Sequence, residues 1–166
     1  MVASRKYKRK KCEPKESVHL FMTKILDATQ AIIRGEAPSP PVAKLIGFDV
    51  VSVQPGESVV EFHATEVHRN PMGTLHGGIL CDIADAAMGI AYASNLNEGQ
   101  SFTTLELKIN FLKPIWNARL RAAGRVVKQG RTVGMVECDV TDEKGNLVAR
   151  ATSTCMTLRG AEAKGR

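Results

Sequence analysis

Residues 68–85 read HRNPMGTLHGGILCDIAD: a polar loop, then His76-Gly77-Gly78, then an apolar segment with an aspartate nine residues after the histidine. Asn70-Pro71-Met72-Gly73 is turn-prone, while residues 79–97 hold no proline and are rich in Ala, Leu, Ile and Met, which predicts one buried helix. Paired glycines at a helix start let a ligand approach the backbone. The unpaired N–H groups of the first turn point outward with the positive end of the helix dipole behind them. Such a terminus suits a carbonyl oxygen that gains negative charge, and one donor of this kind is worth about 3 kcal/mol in acyl-transfer sites. Asp85 follows about two turns later among Ile83, Ala84, Ala86, Ala87 and Met88. A carboxylate in that company needs a reason, because unpaired charge is costly to bury.

Working outward, the period changes from helix to strand beyond Gly99. Residues 101–112, 119–128, 132–140 and 147–158 are strand-length segments, punctuated by Lys113-Pro114, Gln129-Gly130-Arg131 and Glu143-Lys144-Gly145-Asn146. Upstream, residues 48–53 and 58–67 read as strands around the Pro55-Gly56 turn. Short connections imply an antiparallel sheet, and a sheet with one apolar helix is an α+β layer arrangement in which each element buries the other's face. Before these, Val18, Phe21, Ile25, Ala28, Ile32 and Ile33 keep a helical period, with Gly35 placed as a stop, so residues 17–36 form an added amphipathic helix. Residues 37–41, Ala-Pro-Ser-Pro-Pro, read as an extended linker.

The formal net charge of +6 is unevenly placed. Residues 1–16 carry seven Lys or Arg against two Glu, leaving sixteen basic and fifteen acidic residues elsewhere. The domain over 37–160 is therefore nearly neutral, residues 1–16 read as a disordered, solvated basic tail, and residues 161–166 as a flexible end. No apolar run reaches the roughly 20 residues of a membrane span, and no signal peptide opens the chain, so a soluble, cytoplasmic protein is expected. Cys12, Cys81, Cys138 and Cys155 lie far apart with no CxxC pair, which indicates neither a zinc site nor a disulfide framework. No metal is expected. The absence of a Walker loop or a dinucleotide fingerprint removes support for phosphoryl transfer and hydride chemistry.

With the motif and its flanks in place, the stretch from about Lys44 to Leu158 resembles the hotdog-fold acyl-CoA thioesterases, in particular the phenylacetate-type branch. The residues that carry the resemblance are His68, Asn70, Gly73, His76-Gly77-Gly78 and Asp85, then Thr103-Thr104-Leu105-Glu106-Leu107 leading to Phe111 and Pro114. It implies an antiparallel sheet wrapped around one long central helix, and hydrolysis of an acyl-CoA thioester without a cofactor. It also implies that the Gly77 N–H polarises the carbonyl with help from Asn70, and that His76 supports the loop. Asp85, from the other subunit of a homodimer, would activate water or attack directly, with Thr104 orienting it. Pairs of dimers are common in that family.

The residues leave some alternatives open. Asp82 is six residues beyond His76 and could be the acid instead, though the family spacing favours Asp85. Cys81 could be a nucleophile, but an apolar helix favours an inert thiol. Gly78, Met88, Lys128 and Arg131 are the expected substrate contacts: Met88 with Ile79 along an acyl channel, and Lys128 and Arg131 at the phosphates of coenzyme A. For the last two a solvated turn charge is as ordinary a reading. A rival function is a non-catalytic acyl-CoA-binding regulatory module whose basic tail contacts nucleic acid. The helix at 17–34 lacks a partner helix for a helix-turn-helix, so no nucleic acid is expected.

Overall fold

The computed structural model describes residues 25–164. The basic segment 1–16 and the first part of the predicted N-terminal helix lie outside those residues. What is described of that helix, α1, is Ile25–Ile33, with Gly35 (φ 74°) following and its N–H bonded to the Ile32 carbonyl, as expected of a stop. Residues 37–40 form neither helix nor strand, as expected of the linker, but its last residue, Pro41, opens a helix. Pro41–Ile46 is a short helix, α2, with Pro41 in its first turn, where the missing N–H is no loss, and Gly47 (φ 87°) closing it onto the Ala43 carbonyl.

Six strands follow: β1 (Phe48–Gln54), β2 (Glu57–Ala64), β3 (Gln100–Phe111), β4 (Ala118–Gln129), β5 (Val133–Asp142) and β6 (Leu147–Arg159). They form one antiparallel sheet in the order β1-β2-β4-β5-β6-β3. Between β2 and β3 runs the long helix α3, Gly77–Ala93, which packs on β4, β2 and β5. This is the α+β arrangement read from the sequence. The period-2 alternation along β4 places Leu120, Ala122 and Gly124 inward. Their decreasing size lets the helix come down on the strand, since a side chain at Gly124 would stand 2.6 Å from the Ala87 carbonyl. Ser58 on β2 donates to that same carbonyl at 2.6 Å. Ile83, Ala84, Ala87, Met88, Ala91 and Tyr92 are sealed between helix and sheet.

Two boundaries fall earlier than the composition suggests. β2 ends at Ala64 rather than at 67, because Thr65 and His68 cap a 3-10 turn, Glu66–His68, with the Thr65 N–H donating to His68 Nδ1 at 3.1 Å. α3 ends at Ala93 rather than at 97, because Ser94 draws the chain onto the β1–β2 turn by accepting from the Gly56 N–H at 2.8 Å. At the other end of the chain, Gly160–Ala163 is a 3-10 turn with Ala163 buried.

Candidate active site at the start of the central helix

The loop before α3 is held by its own side chains. Asn70 Oδ1 accepts from the Met72 N–H (2.9 Å) and the Thr74 N–H (3.3 Å), and Asn70 Nδ2 donates to Thr74 Oγ1 at 2.9 Å. Gly73 completes the turn at φ 82°, its N–H bonded to the Asn70 carbonyl. Leu75 donates to the Ile115 carbonyl at 2.6 Å and His76 to the His68 carbonyl at 2.9 Å, so the chain enters the helix along a fixed line. Asn70 therefore builds the loop first, and one Nδ2 hydrogen is engaged in doing so.

His76 is the N-cap, with extended backbone (φ −65°, ψ 130°) and Nδ1 accepting the Gly78 N–H at 2.9 Å. That bond requires Nδ1 to be unprotonated. The Ile79 N–H donates to the His76 carbonyl at 3.1 Å. Among the described residues nothing accepts from the Gly77 N–H. The Gly77 N–H is thus left without a partner among the described residues at the positive end of α3.

The glycines serve the protein's own packing as well as a ligand. A side chain at Gly77 would stand 2.9 Å from the tip of the Phe111 ring, and one at Gly78 would stand 2.8 Å from His76 Nδ1. The space beside their α-carbons is filled by those two rings. Phe111 is not marked out for this place by the sequence, because its approach to Gly77 is made only in the folded chain.

Asp85 projects from the middle of α3 toward β3, where Thr104 Oγ1 donates to Asp85 Oδ1 at 3.3 Å. The carboxylate is exposed in the single chain, yet the protein atoms crowding it raise its pKa, against the lowering pull of Thr104 and with a further small push from Asp82. Asp82 is raised by burial too, but no described residue hydrogen-bonds its carboxylate. Burial first, then Asp82 and Asp85, pushes the Cys81 thiol up, which keeps it protonated near neutrality and disfavours it as a nucleophile. Among the described residues no cluster of three or more His, Cys, Asp or Glu side chains could hold a metal.

Two groups are thus assembled: His76, Gly77 and Gly78 at the helix start, and Asp85 with Thr104 two turns along. The remaining expected contacts are not joined to either. Met88 is wholly buried in the core, where no ligand reaches it in the single chain, and Ile79 is half-buried. Lys128 and Arg131 are exposed near the β4–β5 turn, where Arg159 bonds the Arg131 carbonyl.

The model of the family described as "Thioesterase superfamily" matches residues 72–149, a span holding the HGG motif, Asp85, Thr104 and Phe111. The acyl-coenzyme A thioesterase PaaI of Escherichia coli is 32% identical over 108 residues, covering 64% of this chain and 75% of that protein. Its solved structure superposes with a TM-score of 0.72 at 25% identity, covering 84% of this chain and 97% of that one. The 1,4-dihydroxy-2-naphthoyl-CoA hydrolase of Listeria monocytogenes is 29% identical over 109 residues, 66% of this chain and 89% of that protein. Taken with the six-stranded sheet, the central helix and the unpaired N–H at its start, these likenesses identify the chain as a member of the thioesterase superfamily, with the hotdog fold.

Proposed function

We propose that the protein hydrolyses an acyl-CoA thioester to the free acid and coenzyme A, in a site shared by two subunits. The observation that carries this reading is the unpaired N–H of Gly77 on the same helix as the Asp85–Thr104 pair. The thioester oxygen accepts from the Gly77 N–H, and negative charge developing on it is stabilised by the helix terminus. Asp85 then acts in one of two balanced ways. As a general base it takes a proton from water while the water oxygen bonds to the carbonyl carbon, and the C–S bond breaks to release the thiolate. As a nucleophile it forms an acyl anhydride, expels the thiolate, and is freed by water in a second step. A thioester needs no metal or cofactor for either route, because thiolate is a good leaving group.

Eight residues of helix separate Gly77 from Asp85 by about 12 Å. One chain cannot hold both about 3 Å from one carbonyl carbon. A second copy related by a two-fold axis, its helix antiparallel to the first, brings its Asp85 opposite this Gly77 and creates two equal sites. β3 suits that pairing: it ends the sheet, and Leu105 (52% exposed) and Phe111 (55%) stand open on it. Asn70 contributes through the loop, and its second Nδ2 hydrogen remains for the carbonyl. Gly78 flanks the donor, and Lys128 and Arg131 are the cations available for the phosphates.

The test is release of free thiol from a panel of acyl-CoAs by wild-type protein and by Asp85→Asn, which keeps the shape and removes the carboxylate. Turnover should fall at least ~100-fold. Near-normal turnover in folded Asp85→Asn, with Asp82→Asn inactive, would move the role to Asp82.

A further inference from the structure

β3 does not keep a plain alternation along its length. Phe111, Ile109 and Leu107 pair with Ala149, Ala151 and Ser153 of β6, all three of them buried, so the odd positions of this half face inward. Continued without interruption, that parity would put Leu105 inward and turn Thr104 to the opposite face. Instead the register shifts between Thr104 and Glu106: Thr104 pairs with buried Cys155 and Phe102 with buried Thr157, while Leu105 is left over and exposed. Beyond the shift the even positions face α3, as the contact of the Phe102 ring with Tyr92, centroids 5.7 Å apart, confirms. The bulge is therefore what sets Thr104, rather than Leu105, against Asp85.

A bulge leaves ladder groups without their usual partners, and one of them is met by a side chain. Ser153, 1% exposed, donates its hydroxyl to the Glu106 carbonyl at 2.6 Å, at the residue where regular pairing resumes. Thr154 on the outer face donates to Glu106 Oε1 at 2.9 Å. Ser153 lies two residues from Cys155, whose thiol pKa is raised chiefly by burial and pulled down by the Ser153 and Thr104 side chains.

We propose that Ser153 is a positioning residue for the hydrolytic site: its buried hydroxyl holds the β3 bulge in the form that aims Thr104 at Asp85. This rests on Asp85 serving as the acid proposed above. Ser153 touches neither substrate nor reacting atoms and acts only through Thr104. The ionisable groups around Asp85 are Asp82 and Cys81 on its own helix and Cys155 on β6, with Glu106 beyond. Of these only Cys155 is touched by the Ser153 side chain in its titration, and losing that hydroxyl pushes its already raised thiol pKa further up, so the thiol stays neutral and a shift in Asp85's titration reports the Thr104 hydrogen bond.

The experiment compares wild type, Thr104→Ala, Ser153→Ala and the double variant in thiol release, reading kcat, KM and the pH profile of kcat, with folding checked by circular dichroism. Ser153→Ala should lower kcat roughly three- to tenfold with KM within about twofold. It should also move the acid limb of the profile upward, in the same direction as Thr104→Ala. The double variant should match Thr104→Ala alone, because both changes remove one interaction. Ser153→Cys, which keeps the shape with a weaker donor, should fall between wild type and Ser153→Ala, and it supplies the comparison if the alanine variant does not fold. If Thr104→Ala moves the limb and neither Ser153 variant does, or if the effects add in the double variant, the positioning role is wrong while the catalytic reading stands. If Asp85→Asn keeps full activity, the catalytic reading itself fails.

Discussion

At Gly77 the free N–H and the missing side chain can be separated by substitution. Proline is accommodated at the first position of a helix, and His76 already has the extended backbone that a following proline requires. Gly77→Pro removes the N–H, whereas Gly77→Ala keeps it; both push against the half-exposed Phe111 ring. Gly77→Pro should lose kcat by about 100-fold or more. Gly77→Ala should lose far less, and adding Phe111→Ala should remove any remaining effect of the alanine. Equal losses in the two Gly77 variants would mean that crowding, not the donor, is what matters there. For Asp85, burial raises the pKa and Thr104 lowers it, so activity that needs the carboxylate declines as pH falls through that raised value. Thr104→Ala should carry the acid limb to still higher pH, and an unchanged limb would disconnect Thr104 from the acid. The glycine-paired start of α3 and the placement of Asp85 on that helix were legible because their spacing is local and chemically marked. Phe111 and the loop-building hydrogen bonds of Asn70 were not, since each depends on contacts that only the folded chain creates.

Among elements, the strands and α3 could be read because each is long and bounded by turn residues: 12 residues in β3 and β4, 13 in β6 and 17 in α3. α2 was hidden by Pro40 and Pro41, which suggest extension but also fit a helix start; β2 ends early at the local Thr65–His68 cap, and α3 at a tertiary bond from Gly56 to Ser94. The β3 bulge could not be read at all, because alternation in one strand does not reveal which residue its neighbour skips. The β5–β6 turn is an element whose stability should depend on acid. Asp142 is buried at its base and takes hydrogen bonds from Lys113 Nζ (2.5 Å), Asn146 Nδ2 (2.9 Å), the Asn146 N–H (2.9 Å) and the Lys144 N–H (3.0 Å). Lys113 first, then Asn146, holds its carboxyl well below the usual carboxylate range. A depressed folded pKa adds stability above the unfolded value near ~3.9, and that stability is lost as pH falls toward the folded one. Asp142→Asn should lower Tm at pH 7, with the gap to wild type narrowing below about pH 4. A gap that stays constant down to pH 2 would show that the charge at Asp142 contributes nothing.

On the scale of the whole molecule, the central claim is that no single chain contains a complete site. The donor at Gly77 and the acid at Asp85 belong to one rigid helix, and no loop movement shortens the distance between them. The most direct measurement mixes two inactive proteins, Asp85→Asn and Gly77→Pro, under conditions where subunit exchange is verified independently, for example with differently tagged chains. In a heterodimer the intact Gly77 of the first chain faces the intact Asp85 of the second, while the other site lacks both groups. Equal mixing gives half heterodimers with one working site of two, so about a quarter of wild-type activity should return. If the chains exchange and no thiol is released, or if a monomeric variant hydrolyses acyl-CoA at the wild-type rate, the shared site is contradicted.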